Sequence, residues 1–226
     1  MSDHLRAWLI VREAVPWHEV RTTATYRPFT PARDGAIHDI RSFDQARSSD
    51  RAAALLAALR QARADAAIGP ALTCDLLTGW QRLVLDSRDV EFRSRPAFAK
   101  AGQERYGIAP DTRDRFDACL SQSDEGELPL AARAARAYLD VCFFHPFDDG
   151  NGRSAFLALT FLLARAGIVL DQVGPVRRLK RRADDPCDAL ALADLVAVLI
   201  DNSQRRGAPG HLPHLPPFRQ SRIPLG

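Results

Sequence analysis

The residues with the most chemical content lie in one short run, His145-Pro146-Phe147-Asp148-Asp149-Gly150-Asn151-Gly152-Arg153. It gathers an imidazole, two carboxylates, a guanidinium and two glycines. On either side the pattern predicts helices. Residues 130–144 end in the apolar run Val141-Cys142-Phe143-Phe144, and residues 154–166 are apolar almost all round, which marks a helix buried on every face. A polar, glycine-rich turn between two such helices is out of place unless its backbone must approach something. Gly150 and Gly152 permit dihedrals that other residues avoid. They put bare N–H groups just ahead of a helix N-terminus, where the dipole and the unpaired donors favour an anion. The chemistry indicated is phosphate handling.

His145 sits on the turn after a helix. With an ordinary pKa near 6.5, its neutral ring can accept a hydroxyl proton at neutral pH. A lone histidine is more often a hydrogen-bonded core residue; beside this turn, general-base work is the stronger expectation. Pro146 fixes the turn, Phe147 anchors it with a buried ring, and Asp148 is expected to be exposed.

These groups need elements to hold them. Residues 1–49 read as an N-terminal arm and first helix packed on the domain, with Trp8 and Trp17 as packing residues. Ser49-Asp50 looks like an N-cap before an alanine-rich helix over 51–67, stopped by Gly69-Pro70. Residues 72–77 read as a short helix closed by Gly79. Residues 80–93 read as two short strands around the polar turn 86–89, a hairpin at the edge of a helical body. Residues 95–108 read as a loop with a short helix, 111–120 as a helix, 121–129 as a polar loop, and 188–203 as a final amphipathic helix after a C-cap at Gly167. The fold class expected is all-α with one small β-hairpin, the catalytic domain spanning 50–205. A proline-rich tail, 206–226, is expected to be mobile. Its His211 and His214 have HxxH spacing, but a lone pair in a tail makes a poor metal site.

At 226 residues, 46% hydrophobic and 26% charged, the chain suits one globular domain with a proper core. A net charge of +3 is too small to argue for a nucleic-acid surface. Cys74, Cys119, Cys142 and Cys187 are widely spaced, which reads as reduced thiols and a cytoplasmic location. No run of 18 apolar residues suggests a membrane span. The cations at 177, 178 and 180–182 read first as a solvated surface, and second as a contact for nucleotide phosphates.

The nine residues from His145 to Arg153 resemble the signature of the Fic domain family, HPFx(D/E)GN(G/K)R, with every specified position filled. The resemblance implies a protein adenylyltransferase that transfers AMP from ATP to a Ser, Thr or Tyr hydroxyl of a target protein. It makes His145 the general base, and Gly150, Asn151, Gly152 and Arg153 the ATP-binding residues. Asp149 becomes the acid that holds Mg²⁺ between nucleotide phosphates. The hairpin at about 80–93 is identified as the flap on which the target docks, by β-augmentation. A separate antitoxin is a further partner that such proteins can have.

The longer signature carries a second arginine three residues after the first, and here that position is Phe156. Positions 153 and 156 share a helix face, so a second cation on the triphosphate must come from elsewhere. Arg165, about 18 Å along the helix, is too far. Arg82, Arg93 and the cluster after Gly167 are the candidates. The missing arginine also resembles the Doc-like branch, which transfers the γ-phosphate, although that branch has lysine where this chain has Gly152. Gly152 is weighted more, so AMP transfer leads; a Doc-like kinase, or a catalytically weak binding or regulatory module, is the alternative, and phosphocholine transfer remains open. Residues 121–126 fit the inhibitory motif (S/T)xxxE(G/N). They fall in a loop too near His145, so Glu125 is read as a solvated loop residue and no inhibitory helix is expected.

Overall fold

The computed structural model describes residues 2–21, 28–29 and 31–207. The proline-rich tail with His211 and His214 lies outside the described residues, apart from its first two positions, which still belong to the last helix.

Two helices form the centre, α6 (Leu130–Phe144) and α7 (Asn151–Arg165). They pack on each other across the short connection 145–150. In α6, Ala131, Ala132, Ala134, Ala135 and Ala137 are all buried. Such small side chains let α7 on one side and α9 (Pro186–Gly207) on another lie close to its backbone. Helix α7 is buried at every position from Arg153 to Leu163. Its all-round apolar sequence predicts that, but the helix begins three residues earlier than the sequence indicates, and the end of the motif is its first turn.

Around this pair, α3 (Ser49–Ile68) packs on α7. Its N-cap is Ser48, whose hydroxyl accepts from the Arg51 N–H, one residue before the expected cap, and it ends at Gly69 in the left-handed region. Helix α1 (His4–Ala14) places Trp8 in the core, and Trp17 follows it there. Helix α2 (Gly35–Asp39) runs on into a π turn over Ile40–Asp44. Helices α5 (Thr112–Ser121) and α8 (Gly174–Arg178) complete the body. No helix among the described residues is long and apolar enough to cross a membrane.

The hairpin lies elsewhere than the sequence suggests. Residues Cys74–Leu85 form one helix, α4, with Gly79 inside it. The Thr73 hydroxyl caps its start, and Asp86 ends it at φ 49°. Leu77, Trp80, Gln81 and Val84 recur every three or four residues and are buried, so the helical period prevails over the short Leu83-Val84-Leu85 run that resembles a strand. The strands are β1 (Ala97–Ala99) and β2 (Glu104–Tyr106), antiparallel, with Phe98 opposite Arg105. Lys100, Ala101 and Gly102, all at positive φ, turn the chain between them. The hairpin expected at about 80–93 therefore lies at 97–106 instead. The all-α class with a small hairpin stands.

Candidate functional site

The motif residues open onto a cleft of about 550 Å³. The connection from α6 to α7 forms its floor. Phe98 and Ala99 of the hairpin wall one side, and Phe43, Asp44 and Arg177 wall another. His145, Asp149, Gly150, Asn151, Gly152 and Arg153 all line it.

His145 is the residue that ends α6, in the left-handed region at φ 51°. Its Nδ1 lies 3.3 Å from the Cys142 carbonyl oxygen. A carbonyl can only accept, so Nδ1 carries the proton and Nε2 keeps its lone pair. The ring stacks on Tyr106 of β2, centroids 4.4 Å apart and planes 11° apart. Burial is the main influence holding the imidazole pKa below its usual value, assisted by the nearby Arg93 charge. The geometry gives a neutral, oriented proton acceptor at the wall of the cleft.

Arg93, a candidate for the missing second cation, has another task. It is buried, and its guanidinium donates to the carbonyls of Phe144, His145, Arg95 and Gly107. It binds the end of α6 to the base of the hairpin. Arg82, the other candidate on this part of the chain, is exposed and does not line the cleft.

Gly150 is the N-cap of α7, at φ 77°. A Cβ there would lie 2.5 Å from the Gln81 amide nitrogen, so both conformation and space require glycine. Gly152 differs from the sequence reading: its φ is not positive, and a Cβ would meet nothing within 4 Å. It leaves the floor of the cleft bare. The Asn151 side chain accepts from the Phe147 N–H at 2.9 Å and donates to the Phe147 carbonyl at 2.6 Å. It braces the turn, so a phosphate would meet the backbone N–H of Asn151 rather than its amide. No side chain caps this helix start, which leaves its first-turn donors directed at the cleft.

Arg153 is buried, donating to the Val84 carbonyl and to Asp149, each at 3.0 Å. The Asp149 side chain is 72% exposed, and Asp148 is exposed as expected. Gln81, which sequence reasoning missed, is fully buried on α4. It donates to the Asp149 carbonyl at 2.5 Å and accepts from Ser154, tying the motif turn to the neighbouring helix. A polar residue in register with Leu77 and Val84 is a signal for it, legible only once that stretch is read as a helix.

The basic cluster divides. The Arg177 side chain is buried against Asp39 and Asp44, Arg178 pairs with Asp39, and Arg182 pairs with Asp184 at the surface. Glu125 follows a 3-10 turn, away from the cleft, and pairs with Arg136 at 3.0 Å, so it is half-exposed and partnered rather than freely solvated. The four cysteines are free thiols.

Residues 71–163 match the model of the Fic/DOC family. Among solved structures, the chain is similar to a Fic domain containing signaling protein from Bacteroides thetaiotaomicron VPI-5482. The TM-score is 0.53, at 17% identity over 90% of this chain and 94% of that one. It is also similar to a histidine-to-alanine variant of IbpAFic2 in complex with adenylylated Cdc42. There the TM-score is 0.55, at 10% identity over 88% of this chain and 70% of that one. At such identities the likeness shows the fold. No curated protein matches the chain in sequence.

Proposed function

Since this chain belongs to the Fic/DOC family, we propose that it is a protein adenylyltransferase acting from its His145 cleft. The observation that carries the reading is the juxtaposition in one cleft of a neutral imidazole with a free Nε2, an uncapped helix start, and Arg153. In the proposed reaction, a target hydroxyl gives its proton to His145 Nε2 as its oxygen bonds to the α-phosphorus of ATP. The bond from that phosphorus to the β-phosphate bridge breaks, and pyrophosphate leaves. The N–H groups of Asn151 and Gly152 stabilise charge on the transferred phosphate, and Arg153 that on the leaving group. Asp149 suits Mg²⁺, which takes one or two carboxylates and completes its shell with phosphate oxygens and water. A single exposed carboxylate beside the anion floor is such a donor set. The bound ion would neutralise phosphate charge.

The acceptor reaches the cleft along the hairpin. Strand β2 meets the N-terminal segment through the bridge from Asp3 to Arg105, whereas β1 pairs only with β2 among the described residues. Strand β1 is thus the open edge, and it carries Phe98, 58% exposed beside the cleft. An extended target segment would add there. The similar IbpAFic2 structure holds an adenylylated protein, which supports a protein acceptor. Phe156, fully buried at the second-arginine position, keeps γ-phosphate transfer as the second reading.

The test is labelling of lysate proteins with α- and γ-labelled ATP, using wild type, His145→Ala and His145→Asn. Label from the α position alone, lost in both variants, is expected. Label from the γ position alone selects phosphotransfer. Undiminished labelling by a folded His145→Asn protein would sink the role of the base.

A further inference from the structure

Four arginines line the cleft, and only Arg153 of α7 belongs to the motif; Arg51 stands in the first turn of α3, Arg177 in α8, and Arg47 lies over the Phe43 ring and donates to the Phe43 carbonyl. Arg153 is more than nine-tenths buried, and its Nε is buried without a hydrogen-bond partner. Its pKa is lowered first by burial and then by the charge of Arg51, with Arg177 adding to it. The Arg51 side chain has no hydrogen-bond or ion-pair partner among the described residues. Like charges around one cavity repel, and a polyanion turns that repulsion into attraction.

Arg177 is held in a specific way. Its guanidinium carbon stands 4.8 Å from the centre of the Phe156 ring, a cation resting on an aromatic platform. Phe156 lies one turn beyond Arg153 on the same face of α7, so the platform sets a guanidinium above the position from which α7 itself offers none. Two terminal nitrogens of Arg177 meet carboxylates, Asp39 at 2.5 Å and Asp44 at 2.7 Å. Asp39 lies outside the lining of the cleft, but Asp44 is part of it. A phosphate oxygen entering the cleft would meet the same nitrogen that Asp44 occupies.

We propose that Arg177, seated on Phe156, forms with Arg51 and Arg153 the subsite for the terminal phosphates of a polyphosphate ligand, and that Asp44 is its internal competitor. The inference rests on the nucleoside-triphosphate reading above and assigns two residues and a competitor that lie outside the motif. Arginine fits this place because its planar fork can serve a carboxylate and a phosphate together.

The test is calorimetric titration with inorganic tripolyphosphate and, separately, AMP. Wild type is compared with Arg51→Gln, Arg177→Lys and Asp44→Asn, the fold of each checked by circular dichroism. Arg51→Gln and Arg177→Lys should each weaken tripolyphosphate about tenfold, the loss of one charge-assisted contact, and leave AMP unchanged. Asp44→Asn should tighten tripolyphosphate at least about threefold, a gain that a purely structural ion pair would not give. Should Arg177→Lys fail to fold, exposed Arg51 and isosteric Asp44→Asn decide the matter. Equal loss for both ligands, unchanged tripolyphosphate affinity in the folded variants, or no binding of tripolyphosphate to wild type would each overturn the proposal. Failure of the transferase reading looks different: tripolyphosphate binds, but no His145-dependent label appears.

Discussion

At His145 a single residue is both the stop of α6 and the proposed base. The left-handed backbone ends the helix there, and the Cys142 carbonyl one turn back fixes the tautomer. Alanine in that conformation costs roughly 1–2 kcal/mol, whereas asparagine visits it readily, which is why His145→Asn is the cleaner control. Burial depresses the imidazole pKa below 6.5, so the ring is neutral at pH 7 and protonates only at lower pH than a free histidine. The acid limb of the kcat/KM–pH profile, which reports the unliganded enzyme, should therefore have its midpoint below 6.5, with the rate rising as pH increases through it. By linkage, the unfolded chain takes up that proton at a higher pH than the folded one, so stability falls as pH drops below about 6.5. A midpoint above 6.5 would show that neighbouring negative charge, rather than burial, governs the ring. The motif made His145, Asp149 and Arg153 legible as neighbours, because nine consecutive residues cannot lie far apart. The pairing of Asn151 with the Phe147 backbone was not legible, since a side-chain amide suits a peptide group as well as a phosphate.

At the scale of the element, the start of α7 separates two glycines that look alike in sequence. Gly150→Ala combines a left-handed backbone with a 2.5 Å approach to Gln81, and should lower stability by about 1–3 kcal/mol. Gly152→Ala meets open space on an ordinary helical backbone, so it should leave stability unchanged or raise it by up to about 1 kcal/mol. Its methyl would still reduce AMP affinity by narrowing the anion floor. Denaturant unfolding and AMP titration of both variants check this, and parallel behaviour would contradict it. The sequence resolved α6 to the residue because its ends are marked by Pro129 and the polar motif. It missed α4 for a local reason. Three consecutive apolar residues, 83–85, look like a buried strand, and only Thr73, well before that run, marks where the helical period begins. The true hairpin was hidden because Ala97, Ala99 and Glu104 are poor strand formers. Asp3 and the turn at 100–102 hold it in place, and the partnership with Asp3 crosses about a hundred residues.

Across the whole molecule, α1 joins parts that sequence order keeps apart. Arg12 forms a buried two-pronged pair with Asp140 of α6, and Trp8 donates to the same carboxylate. Arg12→Ala leaves that carboxylate buried with a single donor and should destabilise the fold by about 3–5 kcal/mol, measured as a shift of the denaturant midpoint with an unchanged slope. A loss under 1 kcal/mol would mean that water reaches Asp140. At its other end, α1 is capped by Asp3, whose carboxylate also receives the Arg105 side chain and the Gly107 N–H. One helix therefore fastens both the strand behind His145 and the helix that ends in it. The protein has a natural seam there. If α1 detaches as a cooperative unit while α6 and α7 stay folded, the cleft loses its alignment although most of the structure survives. On warming, amide exchange in α1 should then accelerate at the temperature where activity fades, several degrees before the central pair melts.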